Sequence, residues 1–252
     1  MRLSKIMDYY GSKYAIAHLY GDAEECSIVE PFAGGAGFSL LHYHKNVFLY
    51  DLDERVVRVW DYVINASYKE LASLPLIQID QSIDDLECCE EAKLLISCWL
   101  QYGSPFSKKL SKRNAERSQR DSLQSWSSSR REYIARTSKF IKHWEVHHSS
   151  FRDIDIEKHS SSLWFIDPPY FNSAGKAYKF GSHKLSCSDL LQWVNRLEDR
   201  FIVCENTNSE AWMNFKNLTA FHGISKNNTE VYFSNQHLIS TSGEQLSLFQ
   251  GS

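Results

Sequence analysis

The sequence predicts an α/β fold built on a mostly parallel sheet, and three observations carry that prediction. Short apolar strand patterns alternate with helical ones through the first third of the 252-residue chain; a polar, basic stretch then interrupts them; and the alternation resumes afterwards. Strands separated by helices need crossover connections, so they lie parallel in one sheet covered on both faces. With 42% hydrophobic residues the chain can bury a sizeable core, and its length suits one large domain with an insertion or small subdomain.

The elements follow in order. A strand near Cys26 to Glu30 runs into the glycine turn Phe32-Ala33-Gly34-Gly35-Ala36-Gly37, and a helix is expected from about Ala36. A second strand, Val47 to Tyr50, ends in Asp51, and Arg55-Val56-Val57-Arg58-Val59-Trp60 opens a helix toward Ile64. From Tyr68 to Lys142 the pattern breaks into a helix over Glu91 to Tyr102 and a basic, serine-rich stretch. A further helix is expected over Arg130 to His147, with Tyr133, Ile134, Thr137, Phe140, Ile141 and Trp144 on one face. After Phe151 come a strand at Leu163 to Ile166, a helix at about Asp189 to Leu197, a strand at Phe201 to Cys204, and a terminal hairpin of Thr219 to Ile224 with Thr229 to Phe233. The implied division is 1–67 with 148–240 as the sheet domain, 68–147 as an insertion, and 241–252 as a tail. Open α/β sheets bind ligands at the carboxyl ends of their strands, which here collects Glu30, Asp51, Asp167 and Asn206.

The run Trp164-Phe165-Ile166-Asp167-Pro168-Pro169-Tyr170 is the most informative of these strand ends. Its apolar part suits a strand buried on both faces, and the prolines cannot continue a ladder because they lack a backbone donor. The rings fix φ at both positions, leaving a rigid loop. The Asp167 carboxylate and the Pro168 carbonyl are then two acceptors for the N–H groups of a planar amine, with the Tyr170 ring placed to stack on it. A bare strand followed by a polyproline turn is the competing reading, and the neighbouring motifs decide between them.

The glycine turn is the first neighbour. A dinucleotide fingerprint would put a third glycine where Leu40 stands, and Glu30 at the strand end opposes a pyrophosphate. Asp51 can accept both hydroxyls of a ribose. An adenosine without phosphates suits both features.

Together these motifs resemble the Dam-type family of S-adenosylmethionine-dependent DNA adenine-N6 methyltransferases, in which an F-x-G-x-G-like loop precedes a D-P-P-Y loop. The resemblance spans nearly the whole chain. It implies a Rossmann-like class I methyltransferase fold with an inserted target-recognition region, and S-adenosyl-L-methionine as cofactor. Asp167, Pro168, Pro169 and Tyr170 would be catalytic. Tyr9-Tyr10-Gly11-Ser12-Lys13 is similar to the family's Y-x-G-[GS]-K element over the methionine part of the cofactor. The implied cofactor set is Tyr10, Lys13, Glu30, Phe32, Ala33, Gly34, Gly35, Asp51, Asp167 and, against the adenine, Phe151. Ala36 departs from the family at its second glycine. The strand ending in Asn206 would help form the target-base pocket. Serine or asparagine stands more often at the Asp167 position in enzymes methylating cytosine N4 or protein glutamine. Methylation of RNA adenine or another planar amine, and a catalytically silent DNA-binding protein of the same fold, stay as alternatives.

Charge supplies the partner. The net charge is −3, yet the segment from Pro105 to Lys142 carries eleven basic residues against three acidic ones, a net of +8, and the remainder stands at −11. A segregated basic patch attracts a polyanion, though a solvated loop would show the same composition. Double-stranded DNA is the expected partner. Lys108, Lys109, Lys112, Arg113, Arg117, Arg130 and Arg131 from this segment would contact it, together with Asn172 and Lys176 of a loop from Phe171 to His183 suited to a lid, and Asn206. Lys176 and Lys179 are equally readable as surface charges.

Near the C-terminus, Gln245-Leu246-Ser247-Leu248-Phe249 looks like the Q-L-[SD]-L-F peptide that docks on the bacterial sliding clamp. No apolar run approaches the roughly 18 residues that span a membrane, and the N-terminus lacks a signal-peptide core, so a cytosolic protein is expected; the sequence does not fix an oligomeric state, a monomer being favoured. Cys26, Cys88, Cys89, Cys98, Cys187 and Cys204 form no C-x-x-C pair and read as reduced thiols. His143, His147 and His148 lack the acidic or cysteine partners of a metal site, so none is expected.

Overall fold

The structure is a computed structural model that describes residues 3–24, 26–101, 106–171, 185–206, 218–222 and 229–235. Among the described residues seven strands form one sheet: β1 (Ser27–Glu30), β2 (Val47–Asp51), β3 (Glu145–His148), β4 (Ser162–Ile166), β5 (Phe201–Asn206), β6 (Leu218–His222) and β7 (Thr229–Ser234). Their order is β3-β2-β1-β4-β5-β7-β6. β1 runs parallel to β2 and β4, and β4 parallel to β5, whereas β7 is antiparallel to both β5 and β6. This is a Rossmann-like α/β fold, with the mostly parallel sheet and terminal hairpin that the sequence predicts. The strand order reverses between β1 and β4, the switch point beyond whose carboxyl ends open α/β sheets bind their ligands.

The chain divides into two compact units, one of residues 1–14, 34–44 and 54–146, the other of residues 15–33, 45–53 and 147–252. In the second unit every residue of β4 is buried. Trp164, Ile166 and Val203 pack with Leu190, Trp193 and Val194 of helix α6 (Cys187–Val194). The Trp164 and Trp193 rings meet edge to face at 5.4 Å. Ser186 caps α6 by accepting the Asp189 N–H.

The first unit holds α1 (Glu54–Asn65), α2 (Tyr68–Ala72), α3 (Glu90–Ser97), α4 (Lys112–Arg120) and α5 (Ser128–Thr137). α1 buries Val56, Val59, Trp60 and Val63. It packs on α3, and α2 packs on α5. Lys142 donates to the carbonyls of Val63 and Ala66 at the end of α1, where a cation complements the helix dipole. Burial holds its ammonium below the usual lysine range.

Three expected helices are corrected. No α-helix begins at Ala36. That residue has φ of +44°, and the turns after it are closed by Leu40 N–H to Ala36 O, Leu41 N–H to Phe38 O and His42 N–H to Ser39 O, mostly the tighter i to i+3 type. The helix expected to reach Tyr102 stops at Ser97, whose hydroxyl bonds back to the Leu94 carbonyl at 2.6 Å. The helix expected over Arg130 to His147 ends at Thr137, passes through a 3-10 turn at Ser138–Ile141, and gives way to β3. The hydroxyls of Thr137 and Ser138 bond back to Tyr133 O at 2.8 Å and Ala135 O at 3.1 Å, competing with the helical ladder where it ends.

Among the described residues no helix is long and apolar enough to cross a membrane. All six cysteines are free, Cys98 and Cys204 buried and Cys89 exposed.

Candidate active site

In the second unit, three acidic residues stand at the ends of adjacent parallel strands: Glu30 closes β1, Asp51 closes β2, and Asp167 follows β4. Glu30 is only 2% exposed. Asp51 is shaped by its own loop, because its carboxylate accepts the Asp53 N–H at 2.8 Å and its carbonyl accepts the Ser149 N–H at 3.2 Å. A carboxylate held in this way has already given up rotamer freedom in the folded state. Ala33 N–H donates to Tyr50 O at 2.9 Å, which ties the start of the glycine turn to β2. The Tyr50 hydroxyl lies 2.7 Å from His159 Nε2, and its ring stacks on His147 at 4.8 Å.

Beyond the fully buried β4, Pro168 is buried while Asp167, Pro169 and Tyr170 are half-buried. The β4–β5 ladder runs as far as Ile166 opposite Val203. Past that point the loop is anchored by a residue that sequence reasoning missed. Glu205, 2% exposed on β5, accepts the Phe171 N–H through Oε2 at 3.3 Å, and the Phe171 ring packs on the core beneath. Its signal in the sequence was an acidic residue following the buried run Phe201 to Cys204. Asn206 is the last residue of β5.

Phe32 and Phe151 are paired at 5.5 Å, but their exposures differ. Phe151 is 3% exposed, with Trp193 5.5 Å from its ring and the Arg152 guanidinium 4.7 Å above it. The expectation that its ring meets an adenine is corrected on burial: the core encloses Phe151, while the paired Phe32 is half-buried. Arg152 in turn pairs with Asp189 at 2.7 Å, which holds that carboxyl below its ordinary range.

In the first unit, the segment Tyr9 to Tyr14 lies against the glycine turn. A Cβ on Gly34 would come 3.0 Å from the Tyr9 ring and one on Gly35 would come 3.1 Å from Ser12 Oγ. At Gly37 it would meet the Tyr14 backbone nitrogen at 2.4 Å. Gly37 is therefore required by the chain's own N-terminal segment, a close approach that the sequence alone would assign equally to a ligand. Trp60 Nε1 donates to Gly34 O at 2.9 Å. Tyr10 is 45% exposed; Lys13 is 5% exposed, with Nζ 3.4 Å from Gly11 O.

The basic segment separates into two groups. Lys108, Lys109, Lys112 and Arg113 are exposed, and Arg117 and Arg131 are half-buried. Lys108 pairs with Asp84 at 2.9 Å, Arg117 bonds Asn114 and Gln124, and Arg131 donates to Leu74 O at 2.6 Å. Arg130 is corrected. It is 3% exposed, its guanidinium lies 4.0 Å above the Trp99 ring, and it donates to Lys5 O at 2.7 Å and to Leu123 O. Burial lowers its pKa to about 10. A side chain so enclosed reaches no phosphate; it joins the N-terminal segment to α5 from within. Asn172, Lys176, the rest of the expected lid to His183, and Gln245 to Phe249 lie outside the described residues.

Among the described residues no three His, Cys, Asp or Glu side chains group to hold a metal ion. His148 Nε2 instead meets Leu52 O at 3.1 Å.

No family model matches the chain, and no curated protein matches it. Among solved structures, an rRNA methylase from Streptococcus thermophilus aligns with a TM-score of 0.36 and 11% sequence identity, over 87% of this chain and 92% of that one.

Proposed function

We propose that this chain is an S-adenosylmethionine-dependent methyltransferase that modifies adenine N6 in duplex DNA, of the Dam type that its motifs resemble. The observation that carries the reading is the loop Asp167-Pro168-Pro169-Tyr170 at the carboxyl end of the fully buried strand β4, with Glu30 and Asp51 closing the neighbouring strands.

The cofactor, when bound, supplies an electrophilic sulfonium methyl. Asp51 would hold its ribose hydroxyls and Phe32 would lie against its adenine. Exocyclic adenine nitrogen is a poor nucleophile because its lone pair is delocalised into the ring. The Asp167 carboxylate and Pro168 carbonyl, accepting its two N–H groups, favour a pyramidal nitrogen with a localised lone pair and fix its position. Tyr170 stacks on the base, which must leave the duplex at a cost of about a few kcal/mol. Lys108, Lys109, Lys112, Arg113, Arg117 and Arg131, with Asn172, Lys176 and Asn206, would contact the nucleic acid, and residues 68–147 would recognise the target. Gln245 to Phe249 would dock a sliding clamp, and deletion of that peptide should abolish clamp binding in a pull-down.

The test is Asp167→Ala. Methyl transfer to DNA should fall below detection while calorimetric titration still registers S-adenosylmethionine binding. Retained turnover would sink the assignment.

A further inference from the structure

The loop that carries the reacting groups has a structural difficulty. Two of its residues are prolines without N–H groups, and the β4–β5 ladder ends before it, at Ile166 opposite Val203. Two residues beyond Val203, on the same face of β5, stands Glu205. Its backbone continues the sheet on the other side, opposite Val231 of β7, while its carboxylate accepts the Phe171 N–H at 3.3 Å. A carboxylate 2% exposed is costly to bury, and a site that keeps one at the margin of a functional loop has a use for it. Burial pushes the neighbouring Cys187 thiol up, and the negative charge of Glu205 adds to that push.

We propose that Glu205 is a positioning residue: its buried carboxylate accepts the Phe171 N–H and so holds the Asp167 to Tyr170 loop in register with the amine it must grip. This rests on the methyltransferase reading above. Glu205 touches neither substrate nor cofactor in this account. It acts through the loop, and small displacements of a positioned group are expensive in rate.

Glu205→Leu and Glu205→Gln in the full chain, assayed with duplex DNA and S-adenosylmethionine, separate positioning from bulk. Glu205→Leu is expected to lower kcat by about 10- to 100-fold with KM for S-adenosylmethionine unchanged, and to speed hydrogen exchange at the Phe171 amide. Glu205→Gln retains an acceptor oxygen and should recover most of kcat and of the amide's protection. Wild-type kcat in Glu205→Leu, equal loss in both variants, or unchanged exchange at Phe171 would overturn the inference. If the wild-type chain transfers no methyl to DNA, RNA or protein, the functional reading fails by itself, and the Phe171 exchange rates still decide whether Glu205 holds the loop.

Discussion

Ala36 occupies a backbone conformation that favours glycine, with φ of +44°, in a turn where Gly34 also has positive φ. An alanine there is strained by roughly 1 to 2 kcal/mol, partly offset by the greater entropy that glycine would lose on folding. Ala36→Gly is expected to stabilise the protein by about 0.5 to 1 kcal/mol, raising the midpoint of thermal unfolding by about 1 to 4 °C. Gly37→Ala, one position on, should do the opposite and cost more than about 2 kcal/mol, because its Cβ would sit 2.4 Å from the Tyr14 backbone. An unaltered melting curve for Gly37→Ala would contradict this account of the turn. Arg130 is the third residue with a specific expectation. Its guanidinium stacks on Trp99 and serves the Lys5 and Leu123 carbonyls, so Arg130→Ala should lose about 2 to 4 kcal/mol in denaturant unfolding.

At the scale of elements, α4 docks by an unusual means. Asn114 is buried and its Nδ2 donates to Trp99 O at 2.9 Å, while Lys112 and Arg113 beside it are exposed. A helix seated this way can lose surface charge without loss of fold. Lys112→Ala with Arg113→Ala should leave the melting temperature within about 1 °C and reduce the slope of log affinity for DNA against log salt by about 1 to 2. An unchanged slope would remove α4 from the DNA contact. The elements also explain what could be read from the chain. β4 was legible because Leu163 to Ile166 are all apolar and Pro168 and Pro169 end the run, and the hairpin of β6 and β7 was legible from its β-branched and aromatic residues. β3 was not, because Glu145, His147 and His148 are exposed and present no alternation, while the apolar spacing before them extended a helical pattern past its end. The helix expected at Ala36 failed on one backbone angle that no periodicity reports.

Across the whole molecule, the candidate site was more legible than the elements around it. Glu30, Asp51 and Asp167 reach the ends of adjacent strands because an open parallel sheet gathers its carboxyl ends on one edge, so three short motifs sufficed to place them. Burial was the part that stayed hidden: Arg130 and Glu205 carry charges that ordinarily face solvent yet lie inside, Phe151 is enclosed where a ligand-facing ring was expected, and only tertiary packing distinguishes such positions. Methyl transfer to adenine is the activity that the Asp167 to Tyr170 loop should support. Duplex DNA of mixed sequence, incubated with S-adenosylmethionine labelled in its methyl group, is digested and its nucleosides separated. Label in N6-methyladenine, absent with Asp167→Ala, is the predicted result; label in RNA or protein alone, or in no substrate, would contradict it.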